Sequence, residues 1–267
     1  MHMTVIEMEQ QSADLSSELE RDVVPSVTKA LQLLDTFRTH GPTLGVSEIS
    51  RLAGVPKSTA FRLLAYLEQS GFVERDGRGY CLGRLLFELG NSVPLCRPEG
   101  LRETAAPHLT DLFLGAGGKA AVHLAVLEQT DVVYLEKMAG PQTMSVPTRV
   151  GGRMNAACSA LGKAILAFSE REVIASVLDE GLQRRTRYSV ADPARFLQTL
   201  RRVHAEGVAH DREEVVLGLV CTAAPILVDG RAVGAISMSG NAIGFNPANA
   251  APLVQRTAAA ISRDLAA

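Results

Sequence analysis

The chain contains no tryptophan, few aromatic residues of any kind and only four cysteines in 267 residues. Cys81, Cys96, Cys158 and Cys221 are scattered, with no Cys-x-x-Cys pair and no other metal-ligand spacing. That pattern excludes a disulfide scaffold or a zinc module and fits a reduced compartment. No apolar run approaches the roughly twenty residues needed to cross a bilayer. The first 24 residues are polar and carry six acids against Arg21, where a signal peptide needs a basic start and an apolar stretch. A cytoplasmic protein with a disordered acidic leader over residues 1–24 is therefore expected. Catalytic signatures are missing as well. Gly-x-Ser-x-Gly and His-Glu-x-x-His do not occur, and residues 157–164 lack both the first glycine and the Ser or Thr of a phosphate loop. His108, His123, His204 and His210 are too dispersed to form a metal set. No catalytic residue, metal or cofactor is expected.

Nor is there an excess of charge of one sign: 27 Lys and Arg face 29 Asp and Glu. Bulk electrostatics cannot drive binding to nucleic acid here, so such binding would depend on a few placed bases and on dimerisation. Residues 43–83 supply the placement. Ile49, Leu52 and Ala53 form one apolar stripe at helical spacing, Gly54 breaks it, and Ala60, Leu63, Leu64 and Leu67 form the next. Two helices on a shared core leave Lys57, Ser58, Thr59, Arg62, Tyr66 and Gln69 facing outward, side chains able to contact phosphates and base edges in a major groove. Gly71 suits a left-handed C-terminal cap. Phe72 to Arg75 and Tyr80 to Leu82 flank Asp76-Gly77-Arg78-Gly79, a hairpin signal that predicts a wing with Arg75 and Arg78 at its tip against phosphates. Residues 25–83 are thus expected to be a winged helix-turn-helix domain that binds double-stranded DNA.

Residues 84–100 predict a linker helix from Arg84 to Val93, followed by Pro94 and Pro98. Beyond it, residues 101–267 predict an α+β domain: a helix over 101–114, hairpins over 121–137 and 219–239, and further helices between and after them. Ser169 and Glu172 have capping-box spacing, Asp192-Pro193 opens a helix that Gly207 closes, and a terminal helix is expected from about Pro252.

The order of winged helix, linker helix and antiparallel sensor is joined by two local motifs: Leu161-Gly162-Lys163-Ala164, and the segment 207–226 running from Asp211-Arg212-Glu213-Glu214 to Cys221-Thr222-Ala223-Ala224-Pro225. Together they make the chain resemble the IclR family of bacterial transcription regulators over roughly residues 25–265. The resemblance implies a GAF-like effector domain with an antiparallel sheet and covering helices. It also implies homodimers formed through the DNA-binding domains and linker helices, often paired into tetramers, on a DNA operator expected to be palindromic. The implied ligand is a small organic acid or aromatic catabolite. By the same resemblance its pocket lies where Ala160 and Leu161 begin a helix and where Asp211, Cys221, Ser237 and Ser239 converge. Helix amides near Ser159 would favour a carboxylate, and Ser237 and Ser239, two apart on a strand, share a face. Met144, Met154 and Leu219 are expected as apolar walls. Two rival readings use cysteine. One is a hydrolase built on residues 100–267 with Cys221 as nucleophile near His210 and Asp211; the other is a redox-sensing regulator using Cys158 and Cys221. The apolar run around Cys221 favours neither.

Overall fold

In the computed structural model, which describes residues 25–93 and 100–266, the chain divides into two units after Ser92. The acidic leader and the Pro94–Pro98 punctuation lie outside the described residues. In the first unit, α1 (Ser26–His40), α2 (Val46–Ala53) and α3 (Lys57–Gln69) pack Leu33, Phe37, Ile49, Ala60, Leu63 and Leu64 into one core with Val73 and Tyr80 of the wing. Full burial of each such aliphatic side chain contributes about 1.5–3 kcal/mol. The turn between α2 and α3 is fixed locally. Gly54 adopts φ +64, Val55 N–H donates to Ser50 O at 3.1 Å, and Ser50 Oγ donates to Val55 O at 2.6 Å.

Gly71, at φ +78, ends α3 as predicted, and the Phe72 N–H returns to Leu67 O at 2.8 Å. Strands β1 (Val73–Asp76) and β2 (Gly79–Leu82) pair so that Asp76 faces Gly79, leaving Gly77 and Arg78 as the two-residue turn. Leu44 adds a short third edge by exchanging two backbone hydrogen bonds with Tyr80. The linker helix α4 runs over Arg84–Asn91, two residues short of the expected end at Val93.

The second unit is a six-stranded antiparallel sheet, order β5-β4-β3-β8-β7-β6, between two layers of helices. Its elements are α5 (Leu101–Gly115), β3 (Ala121–Glu128), β4 (Asp131–Met138), β5 (Arg153–Asn155), α6 (Ala160–Leu166), α7 (Arg171–Glu180), α8 (Pro193–Glu206), β6 (Ala209–Arg212), β7 (Leu219–Val228), β8 (Arg231–Asn241) and α9 (Pro247–Leu265). On β3, Val122, Leu124 and Val126 face α5 and α9, whose stripe Ala250, Val254, Ala258 and Ile261 covers that side. The alternate residues face α6 and α8, where Leu161, Ile165, Phe196, Leu200 and Val203 form the second core. Asp229-Gly230, both at positive φ, turns β7 into β8.

Three expectations need correction. β5 and β6, the two edge strands, extend the predicted pair of hairpins. α9 starts at Pro247, capped by Asn246 accepting from the Ala248 N–H, more than a turn before Pro252. The capping box at Ser169 does not form, because Ser169 Oγ donates to Ile165 O at 3.0 Å and Glu170 occupies the cap position.

Candidate functional site

The exposed side of α3 carries Lys57, Ser58 and Arg62, with Thr59 half-buried beside them. Pro56 precedes the helix without a side-chain cap, so the first-turn amides are left for an outside acceptor. Sequence reasoning missed Phe61, which is 55% exposed on the same helix. Arg78 projects at the wing turn. Arg75 does not sit at the tip: it is a strand residue opposite Tyr80, its guanidinium 4.1 Å from the Tyr80 ring centroid and its Nε 3.3 Å from Glu68 Oε2. That pairing places Arg75 away from the wing tip where it was expected.

In the second unit, Met154, Ala160, Leu161, Asp211, Leu219, Cys221, Ser237 and Ser239 do line one cavity. Met144 does not. It packs with Ala121, Val146 and Leu219 and lines a separate cleft with Phe245. The cavity converges because of strand register. Ser237 lies opposite His123 and Ser239 lies between Ala121 and Cys221, while the alternate Ile236 and Met238 face the other core. Ser239 Oγ is buried, and its partner among the described residues is the Cys221 thiol across the strand pair, a weak donor and acceptor.

Three polar residues of this cavity were not anticipated: His123, Tyr134 and Thr148. His123 stands out in the sequence as a polar residue on a strand face shared with Ala121, Ala125 and Leu127. Its Nε2 lies 2.9 Å from Thr148 Oγ1, and burial, with Lys137 nearby, pushes its pKa down to about 3, so it is neutral. Lys137 Nζ donates to Val146 O at 3.3 Å and Thr148 O at 2.6 Å, which ties the β4–β5 loop over the cavity. Free space inside is about 30 Å³, room for a water or two.

The electrostatics differ from the expected anion site. Among the described residues no lysine or arginine lines the cavity, and Ser159 Oγ already accepts from the Gly162 N–H at 2.9 Å. The acid among its described lining residues, Asp211, is raised to about 7 by burial against the opposing pull of Lys163. Near neutral pH it is therefore available as a protonated hydrogen-bond donor. Neither cysteine chemistry finds support. Burial and the Asp211 carboxylate raise the Cys221 thiol well above its ordinary value, burial raises Cys158, and His210 hydrogen-bonds to Thr222 Oγ1 at 3.1 Å. Among the described residues no helix is long and apolar enough to cross a membrane.

Comparison with known proteins supplies the family. The IclR helix-turn-helix domain model matches residues 26–77, and the model of the bacterial transcriptional regulator IclR C-terminal domain matches residues 97–263. The transcriptional regulator XynR of Escherichia coli is 31% identical over 222 residues, 81% of this chain and 86% of that protein. The transcriptional repressor IclR of the same organism is 31% identical over 223 residues, 81% and 80% of the two chains. Among solved structures, an IclR homologue from Microbacterium hydrocarbonoxydans complexed with 4-hydroxybenzoate superposes with TM-score 0.83 at 26% identity, covering 91% of this chain and 99% of that one. The Thermotoga maritima IclR gives 0.75 at 29%, with 91% and 99% covered.

Proposed function

Because the chain belongs to the IclR family of bacterial transcriptional regulators, DNA-binding proteins and not enzymes, we propose that its operator binding is set by a small aromatic or organic acid held in the cavity between α6 and the sheet. The observation that carries this reading is the buried Ser239 Oγ, paired with nothing stronger than the Cys221 thiol, in a cavity otherwise lined by polar groups and apolar walls. A buried hydroxyl paired only with a thiol leaves part of the roughly 1–3 kcal/mol cost of an unmet polar group, which a ligand acceptor recovers. The 4-hydroxybenzoate bound by the Microbacterium relative suggests the size and chemistry of the ligand. An aromatic ring needs more room than the cavity offers, so entry requires the β4–β5 loop to part from Lys137 and His123.

The DNA side of the proposal assigns Lys57, Ser58, Thr59 and Arg62 to the major groove and Arg78 to the neighbouring phosphates. Val27 and Leu31 on α1, and Phe87 and Leu89 on α4, are exposed apolar residues that a second copy would cover, which supports a homodimer on a palindromic operator. The effector acts by favouring one arrangement of the two heads over the other.

The test pairs two variants. Ser239→Ala should lower affinity for an effector found by screening aromatic and aliphatic carboxylates by about ten- to hundredfold, with operator affinity unchanged in its absence. Arg62→Ala should weaken operator binding by about 1–3 kcal/mol and leave effector affinity intact. Calorimetry and gel shifts at fixed salt measure both. Normal effector binding by Ser239→Ala and Ser237→Ala alike would move the pocket elsewhere.

A further inference from the structure

A second cleft lies along the outer edge of the sheet, between α8 and the edge strand β6, with a volume of about 370 Å³. It is separate from the effector cavity because successive side chains of β6 alternate: Asp211 faces that cavity, whereas His210 and Arg212 line the cleft. Its floor is a buried ion pair, Lys163 Nζ to Glu214 Oε1 at 2.5 Å, with Lys163 only 1% exposed. The pair is incomplete. Glu214 Oε2 is shut away from solvent without a hydrogen-bond partner, although a carboxylate so buried requires donors at both oxygens.

The rim carries two cations from different elements, Arg202 of α8 and Arg212 of β6, both exposed and in no ion pair with another described residue. Both lie near enough to His210 to help Lys163 and burial depress its pKa, so His210 adds a neutral ring and no further charge. Lys163, Arg202 and Arg212 against Glu206 and Glu214 leave one net positive charge. Anion capacity at the rim is thus paired with an unmet acceptor on the floor.

We propose that this cleft is a second small-molecule site, taking a carboxylate that also carries a hydroxyl or ammonium group, as hydroxy acids, sugar acids and amino acids do. The carboxylate lies between Arg202 and Arg212, and the donor at the other end reaches Glu214 Oε2. Thr199, on the same wall, donates to Arg195 O at 2.9 Å and so offers the ligand an acceptor. The proposal is independent of the effector-cavity reading.

Calorimetry and thermal melts on the full chain test it with L-lactate, D-gluconate and L-serine, alongside acetate, which has the charge without the donor, and glycerol, which has donors without the charge. At least one of the first three should bind and raise the melting temperature, and neither control should. Arg202→Ala and Arg212→Ala, surface changes checked for folding by their own melts, should each weaken that binding about tenfold or more. Ser239→Ala should leave it unchanged. Failure of all three compounds to bind, equal binding of acetate, or loss of binding in Ser239→Ala with retention in the arginine variants would each overturn the assignment.

Discussion

A single arginine shows how far spacing alone determines a role. Arg75 and Arg78 look equivalent in sequence, two bases flanking a glycine turn, yet the pleat separates them. Arg75 lies in the strand, over the Tyr80 ring and against Glu68, whereas Arg78 occupies the turn. Arg78→Ala should therefore weaken binding to all DNA sequences alike and reduce the slope of log K against log salt by about one unit. Arg75→Ala should leave that slope near wild type and instead lower stability by up to about 1 kcal/mol, the scale of an exposed cation–π contact. Binding isotherms from low to moderate salt, with parallel melts, separate the two. A slope lost equally in both variants would mean that Arg75 leaves Glu68 when DNA arrives. His123 makes the converse case. Its strand was legible as an apolar run closed by a turn, with His123 the polar exception in it, but its place in the pocket depends on cross-strand register with Ser237, which no local pattern specifies.

At the level of elements, the sequence showed what strong periodicity and turn chemistry dictate, and concealed what is short or polar. The helix pair, the wing, the two long hairpins and α8 with its Asp192 cap and Gly207 stop were all readable. β5 has three residues and β6 reads Ala-His-Asp-Arg, so neither carries an apolar alternation; both are edge strands held by one neighbour. Yet β6 positions both Asp211 and the second cleft. α6 was legible as a helix, but its glycine was not explained by sequence alone. A Cβ on Gly162 would lie 2.1 Å from Ala156 O and 2.4 Å from Ala156 Cα, backbone atoms that cannot rotate away. Helix propensity favours alanine there by about 1 kcal/mol. Packing opposes it more strongly, so Gly162→Ala should destabilise the C-terminal unit by about 1–3 kcal/mol or more, read as a lower midpoint in chemical denaturation. Gly90, in α4 with nothing within 4 Å of the same atom, is the internal control: Gly90→Ala should stabilise by about 0.5–1 kcal/mol. Equal responses at the two sites would contradict the close approach of α6 to residue 156.

For the whole molecule, a net charge of −2 means that general self-repulsion is small near neutrality, so the pH dependence of folding should come from a few buried groups. Two of them act in opposite directions. Asp211 keeps its proton to about pH 7 when folded, against 3.8 for a free carboxyl, so the folded state binds more protons than the unfolded chain across that window and stability falls as pH rises through it. His123 is the reverse. Its folded pKa is about 3 against 6.5, the unfolded chain binds the extra proton, and stability falls as pH drops below about 6.5. Between about pH 4 and 6.5 the two slopes oppose each other, and the stability of the C-terminal unit should be nearly flat. Asp211→Asn, which preserves an acceptor for the Glu214 N–H now bonded at 2.7 Å, should turn that plateau into stability rising with pH. His123→Gln should turn it into stability falling with pH. Urea unfolding of the full chain at pH 5, 6 and 7 measures the sign directly. Curves for both variants that run parallel to the wild type would show that neither group titrates across this range, and the protonated donor assigned to the effector cavity would be lost with them.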